Sequence, residues 1–239
     1  MSKIKISAVS YTNSKPFVYG IRHSDFFNKI DLTLDIPSVC ANKLIENQVD
    51  IGLVPVAALA QINNYQIISN YCIGAIGRVD SVFIFSNKPI LEIETLQLDA
   101  HSRTSNVLSQ ILLKYHWKIN PNLVLSEPAD AFVQIGDRTF LNRNKYPFQY
   151  DLAEQWFNFT ELPFVFAVWA ANKSISEEFK MDFNKALKYG LDNRKEIISS
   201  LGQVENLDLE NYLMDKIDFI LDDEKLLALD KFLALSKLL

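Results

Sequence analysis

Residues 4–54 read IKISAVSYTNSKPFVYGIRHSDFFNKIDLTLDIPSVCANKLIENQVDIGLV, and their periodicity decides the fold. Ile4, Ile6 and Ala8 alternate with Lys5 and Ser7, the pattern of a strand with one face in a core. Leu32, Leu34 and Ile36 alternate in the same way, and 50–54 is a short apolar run. Two helix-length segments lie between these strands. The first starts near 13–16, because Pro16 is tolerated only in the first turn of a helix. The second starts at Ser38, whose hydroxyl is placed to cap the free amides of 41–48. Strand–helix–strand–helix–strand predicts a parallel α/β sheet with right-handed crossovers.

Outward from that unit the alternation continues. Strands are expected at 71–76, 81–85, 96–98, 123–125 and 131–135. SRTS (102–105) precedes Val107, Leu108, Ile111 and Leu112 at helical spacing and reads as a helix start. The polar, aromatic-rich stretch 138–147 reads as loop, 151–159 as helix, and 164–170, after Pro163, as a buried strand. The tail differs in kind. Ser174 and Glu177 form a capping-box pattern ahead of Phe179, Phe183, Ala186, Leu187 and Leu191, and amphipathic segments follow at 207–221 and 223–238. Three successive helices supply no strands to the middle of the chain. The expected division is therefore a discontinuous first lobe, 1–87 with 166–239, and an inserted α/β lobe at 88–165.

Composition limits the function. The 239 residues are 49% hydrophobic and 22% charged, which excludes disordered and fibrous classes. With 24 Lys and Arg against 29 Asp and Glu, the net charge of −5 excludes a phosphate-neutralising surface, so no nucleic-acid partner is expected. LPFVFAVWAA (162–171), the longest mainly apolar stretch, is too short to span a bilayer, so no membrane association is expected. The opening MSKIKISAVSYTNSKPF lacks the apolar run and cleavage site of a secretory signal, so the expected location is cytoplasmic. Cys40 and Cys72 lack CxxC spacing and read as reduced, buried residues. His23, His101 and His116 lack HxxxH or HExxH spacing, so no metal site is expected. No GxGxxG or GxxxxGK[ST] pattern occurs among the 7 glycines, so no nucleotide cofactor is expected.

Ligands of open α/β sheets bind at the carboxyl ends of strands, near helix amino termini. YTNSKP (11–16), RVDSV (78–82) and SRTS (102–105) meet that description, and their hydroxyls, amides and free N–H groups favour a small anion. Each also has a plainer role. Ser and Thr ahead of a helix serve as caps, Asn13 as a turn residue, Arg78 and Asp80 as solvated charges, and Asp137–Arg138 as a strand-end ion pair. Trp156 and Trp169 read as core.

Taken in order, VSYTNSKPFVYG, VDIGLVPVAAL, YCIGAIGRVDSVFIFS, LDAHSRTSNVLSQILL, ADAFVQIGDR and YDLAEQWFNFTELPFVFAVWA span positions 9 to 171. This string resembles the chorismate dehydratases of the futalosine route to menaquinone, on the Asn–x–x–Pro, Ser–Val, Ser–x–Thr–Ser and IGDR elements together. Beyond about 175 the likeness is only a helical pattern. The resemblance implies a two-lobed, type II periplasmic-binding-protein-like α/β fold with the substrate in the interlobe cleft. It implies the loss of water from chorismate to give 3-[(1-carboxyvinyl)oxy]benzoate, with no cofactor.

On that reading Asn13 is the catalytic residue, orienting the substrate and steadying the departing hydroxyl. Tyr11, Ser81, Val82, Ser102, Thr104, Ser105 and Asp137 contact the substrate, with Asp137 also in reserve as an acid or base. The matching segments offer no His or Glu suited to be the base, so the substrate's own enolpyruvyl carboxylate is expected to take the proton. Hinge crossings are expected near 86–90 and 163–168. Two other functions fit the same architecture: a solute-binding or sensor protein without turnover, and the dihydroxynaphthoate-forming enzyme of the same pathway.

Overall fold

The computed structural model describes residues 3–126, 128–143 and 145–239; position 144, within the expected loop, and positions 1, 2 and 127 lie outside the description. Strands β1 (Ile4–Val9), β2 (Ile30–Asp35) and β3 (Ile51–Pro55) are parallel, with β1 paired to both neighbours. Helices α1 (Lys15–Arg22) and α2 (Pro37–Ile45) connect them, as the periodicity requires. Ser38 is not the cap of α2. Ile36 occupies that position and Pro37 opens the helix, where its missing N–H leaves nothing to satisfy.

The first sheet is completed by antiparallel strands. Its order is β11-β4-β10-β3-β1-β2, with β4 at Gln66–Ala75, β10 at Phe164–Ala171 and β11 at Asp218–Ile220. All eight residues of β10 are buried, which explains why that segment reads as an unbroken apolar run. A second, five-stranded sheet has the order β7-β6-β8-β5-β9, from Asn122–Val124, Thr95–Gln97, Ala131–Ile135, Val82–Ser86 and Phe148–Asp151.

Strand β5 therefore pairs within the second sheet, against β8 and β9, and not with the first lobe to which 82–87 were assigned. The first crossing between sheets lies at 76–81. There Gly77 and Asp80 both adopt positive φ (69° and 62°), and the chain turns before the apolar run resumes. The second crossing runs through α4 (Leu152–Thr160) into β10. One carboxylate ties the two together. Asp151 caps α4 by accepting from Ala153 and Glu154 N–H at 3.0 and 3.2 Å. It also accepts from Val79 and Asp80 N–H at 3.1 and 2.7 Å.

In the tail, α5 (Glu177–Asp192) is capped by Ser176, two residues beyond the expected Ser174; its hydroxyl accepts from Phe179 N–H. Helix α5 crosses α1 at backbone contact. A Cβ on Gly20 would stand 1.9 Å from the Ala186 carbonyl oxygen, and one on Gly190 would stand 1.8 Å from that of Pro16. The stretch 207–221 is not one helix. A short α7 (Leu209–Asn211) runs into a π-helical turn, Tyr212–Lys216, and then into β11 on the edge of the first sheet. Helices α6 (Arg194–Leu201) and α8 (Asp223–Ser236) complete the tail.

Candidate active site

A cavity of about 50 Å³ lies between the two sheets. Val9, Tyr11, Asn13, Pro55, Phe166 and Ala167 contribute from the first-sheet side, and Ser81, Val82, Ser102, Thr104, Ser105 and Gly136 from the second. Seven of the eight residues selected from sequence thus meet at one place. Asp137 is not on its wall.

Each wall segment is held by local structure. Beyond β1 the chain makes a 3-10 turn, Thr12–Ser14, before α1. The Ser14 hydroxyl donates to the carbonyl oxygens of Val9 and Tyr11, which fixes the turn that projects Asn13. Ser81 follows the left-handed Asp80, whose N–H is held by Asp151 and whose carboxylate pairs with Arg78 and lies 3.8 Å from Arg143. Helix α3 (Arg103–Ile111) begins at the cavity, with Ser102 as its cap accepting from Ser105 N–H at 3.0 Å.

Several of these polar groups are already used by the protein. The Thr104 hydroxyl accepts from Ala57 N–H at 3.3 Å and donates to the Phe166 carbonyl at 3.2 Å, so it bridges α3 to the first-sheet side. Asp137 accepts from the Thr12 N–H at 3.1 Å and from its hydroxyl at 3.1 Å. The Tyr11 hydroxyl is 2.9 Å from His101 Nδ1. Gly136 has φ +65°, and a Cβ there would stand 2.5 Å from the Tyr11 ring, so only glycine lets the two segments close this tightly. Arg138 pairs at 2.5 Å with the buried Asp99. The IGDR segment (135–138) is therefore a clasp across the cleft, in which Asp137, expected as a substrate contact and reserve acid or base, holds the Thr12 end of the turn that carries Asn13.

Two groups behave differently. Asn13 Oδ1 and Ser81 Oγ are buried and hydrogen-bond to nothing in the structure. Buried polar atoms are almost always paired, so such exceptions on a cavity wall mark where a ligand supplies the partner. No Asp, Glu, His, Lys, Arg or Cys lines the cavity among the described residues. Burial raises the Tyr11 phenol above its ordinary range against the opposing charge of Arg138, so it remains protonated at neutral pH. Burial also pushes the Cys40 thiol up to about 12. Among the described residues no group of three His, Cys, Asp or Glu is placed to hold a metal ion, and no helix is long and apolar enough to cross a membrane.

The model of the menaquinone biosynthesis family matches residues 4–237. The chain belongs to that family. It is 26% identical over 184 residues to the chorismate dehydratase of Thermus thermophilus, a match spanning 67% of this chain and 66% of the relative's length. Among solved structures it is similar to protein AF1704 of Archaeoglobus fulgidus (TM-score 0.76, 15% identity, 99% of this chain and 97% of the other). It is also similar to the Candida albicans CA3427 gene product, described as having the generic periplasmic binding protein fold (TM-score 0.70, 12% identity, 100% and 91%). These likenesses establish the architecture: a two-lobed α/β fold of the periplasmic-binding-protein kind. Sequence reasoning missed one residue at the site. Tyr212, in the tail, is buried with an unpartnered hydroxyl, and Ser81 and Asn13 are among the groups that oppose the upward push of burial on its phenol; nothing in the helical spacing of 207–221 distinguishes it.

Proposed function

We propose that this member of the menaquinone biosynthesis family is a cytoplasmic chorismate dehydratase, a hydro-lyase that forms 3-[(1-carboxyvinyl)oxy]benzoate and water. The observation that carries the reading is the pairing of two unpartnered polar groups, Asn13 Oδ1 and Ser81 Oγ, on an otherwise neutral wall. A related protein named as chorismate dehydratase supports the choice of substrate.

The chemistry suits such a wall. The ring C–H beside the ether oxygen gives up its proton, that electron pair forms the new ring double bond, and the neighbouring C–O bond breaks. The proton and the departing hydroxide leave as water. With no basic side chain on the wall, the enolpyruvyl carboxylate takes the proton through a six-membered arrangement that passes through the ether oxygen. The Asn13 carboxamide donates to the departing oxygen. Ser81, Ser105 and the amino terminus of α3 hold the carboxylates, since helix N-termini favour negative charge. Holding one conformer contributes on the order of 7–11 kcal/mol in favourable cases and disfavours competing rearrangement.

Small-molecule pockets occupy roughly 300–1,000 Å³, and this cavity is about 50 Å³. Substrate entry therefore requires the lobes to part about the crossings at 76–81 and 152–163, breaking the Thr12–Asp137 and Ala57–Thr104 bonds and restoring them around the ligand. The test is incubation of the purified chain with chorismate, following the benzoate chromophore and the mass of the product. Stoichiometric dehydration is expected. Binding without consumption would instead favour a solute-binding protein.

A further inference from the structure

We propose that Arg103 captures the substrate at the rim of the cleft. With the lobes apart its guanidinium binds a carboxylate of the incoming dianion, and on closure it exchanges that contact for the side-chain oxygens of Asn42 and Gln61. The inference deepens the reading of the cleft given above and rests on it for the identity of the anion.

Arg103 is the first residue of α3, between Ser102 and Thr104 of the cavity wall. Its side chain reaches from the second lobe to the first. Nη1 donates to Gln61 Oε1 at 2.5 Å and Nη2 to Asn42 Oδ1 at 2.6 Å. Asn42 lies in α2, and Gln61 ends the 3-10 segment Val56–Gln61 that follows β3. Both are exposed, so this bridge stands at the solvent edge of the cleft. Parting the lobes breaks it together with the neighbouring Ala57–Thr104 bond.

The nature of the partners sets this bridge apart. Other cations on the segments around the cleft already face carboxylates: Arg78 pairs with Asp80, Arg138 with Asp99 and Lys43 with Asp35, and Arg143 lies 3.8 Å from Asp80. Arg103 makes no ion pair among the described residues, and both its partners are neutral carboxamides. Exposed amides rejoin water when the bridge opens. The two terminal nitrogens they leave form the fork that a carboxylate accepts side by side. Position points the same way. The first turn of a helix favours Asp and Glu, and a cation there opposes the macrodipole. Helix α3 has no acidic residue in its first turn and opens on Arg103, a local preference overridden where an anion must be met. Charge supplies the need. A dianion approaches a chain of net charge −5 and enters a cavity whose wall holds no charged side chain among the described residues. An unpaired guanidinium at the rim reverses the repulsive field locally.

The experiment follows association of chorismate with the full chain by stopped-flow fluorescence, ahead of turnover, at ionic strengths from about 20 to 200 mM. Arg103→Gln keeps a polar side chain without the charge. It is expected to associate about tenfold more slowly at the lowest salt, with the gap narrowing to about threefold or less at the highest. Arg103→Lys is expected to recover most of the low-salt rate. The double variant Asn42→Ala with Gln61→Ala keeps the cation and loses the bridge. Its association is expected within about twofold of wild type, with dissociation at least about threefold faster. Arg103→Gln rates equal to wild type, a gap that salt does not narrow, or unchanged dissociation in the double variant would each overturn the proposal. Should Arg103→Gln fail to fold, the wild type decides: association that slows as salt rises supports capture by a local cation, and association that quickens, as net negative charge alone dictates, refutes it. Chorismate bound with this Arg103 dependence but left intact would remove the dehydratase reading and keep the capture role. Chorismate consumed with no Arg103 dependence would do the reverse.

Discussion

Two sets of polar side chains face the same cleft and differ in what they already hold. Thr104, Asp137 and the Ser102 cap are bonded to protein: Thr104 and Asp137 reach across the cleft, and Ser102 closes the first turn of α3. Asn13 Oδ1 and Ser81 Oγ are equally buried and bonded to nothing. The difference separates closing the lobes from handling a substrate. A hydroxyl beside a cavity is available to a ligand only when no backbone group has claimed it.

The comparison breaks most sharply at Asn13. Asn13→Ala is expected to lower chorismate turnover by at least about 100-fold, the scale of a lost positioned contact, while product affinity stays within about tenfold. Steady-state kinetics with calorimetric titration of product measures both, and unchanged turnover would move Asn13 out of the chemistry.

The next largest effect concerns the carboxylate that joins the two crossings. Burial pushes Asp151 up to about 6, against the pull of the Asp80, Glu154 and Val79 N–H groups and the Arg78 charge. An unfolded aspartate titrates near 4. Between those values the native chain binds more protons than the unfolded one, so this group's contribution to stability falls as pH rises through about 4 to 6 and is lowest above that window. The change amounts to about 3 kcal/mol. Urea midpoints at several pH values should trace the slope, and Asp151→Asn should flatten it.

Clasp residues are expected to act on stability. Thr104→Val keeps the shape but strands the Ala57 N–H and Phe166 carbonyl, costing about 2 kcal/mol in urea unfolding. Asp137→Asn retains one acceptor for Thr12 and is expected to cost about 1 kcal/mol, with turnover reduced less than about tenfold. If Asp137→Asn abolished turnover in a folded protein that still binds product, a protein acid or base would replace the substrate carboxylate in the mechanism.

Much of this was legible in the chain. Alternation in 4–9 and 30–35 and the apolar run at 51–55 marked the parallel unit, and each helix between them carries a proline in its first turn. The convergence of YTNSKP, RVDSV and SRTS also followed, since all three sit where strands give way to turns. The lobe boundary did not. VFIFS looks like a continuation of the strands before it, and the break is made by backbone at Gly77 and Asp80, where the left-handed turn at an aspartate leaves little mark in the sequence. β11 escaped because three residues of strand are too few for a period to stand out within an amphipathic stretch. The engagement of Asp137 with Thr12 was hidden for a different reason. A carboxylate near a strand end looks the same whether it meets a ligand or a backbone N–H 125 residues away.

The most direct test of the account uses chorismate esterified at its enolpyruvyl carboxylate, with binding measured alongside turnover. A cleft that borrows this carboxylate as its base should bind the ester yet leave it intact while dehydrating chorismate itself. Dehydration of the bound ester at a rate near that of chorismate would place the base on the protein and contradict the account.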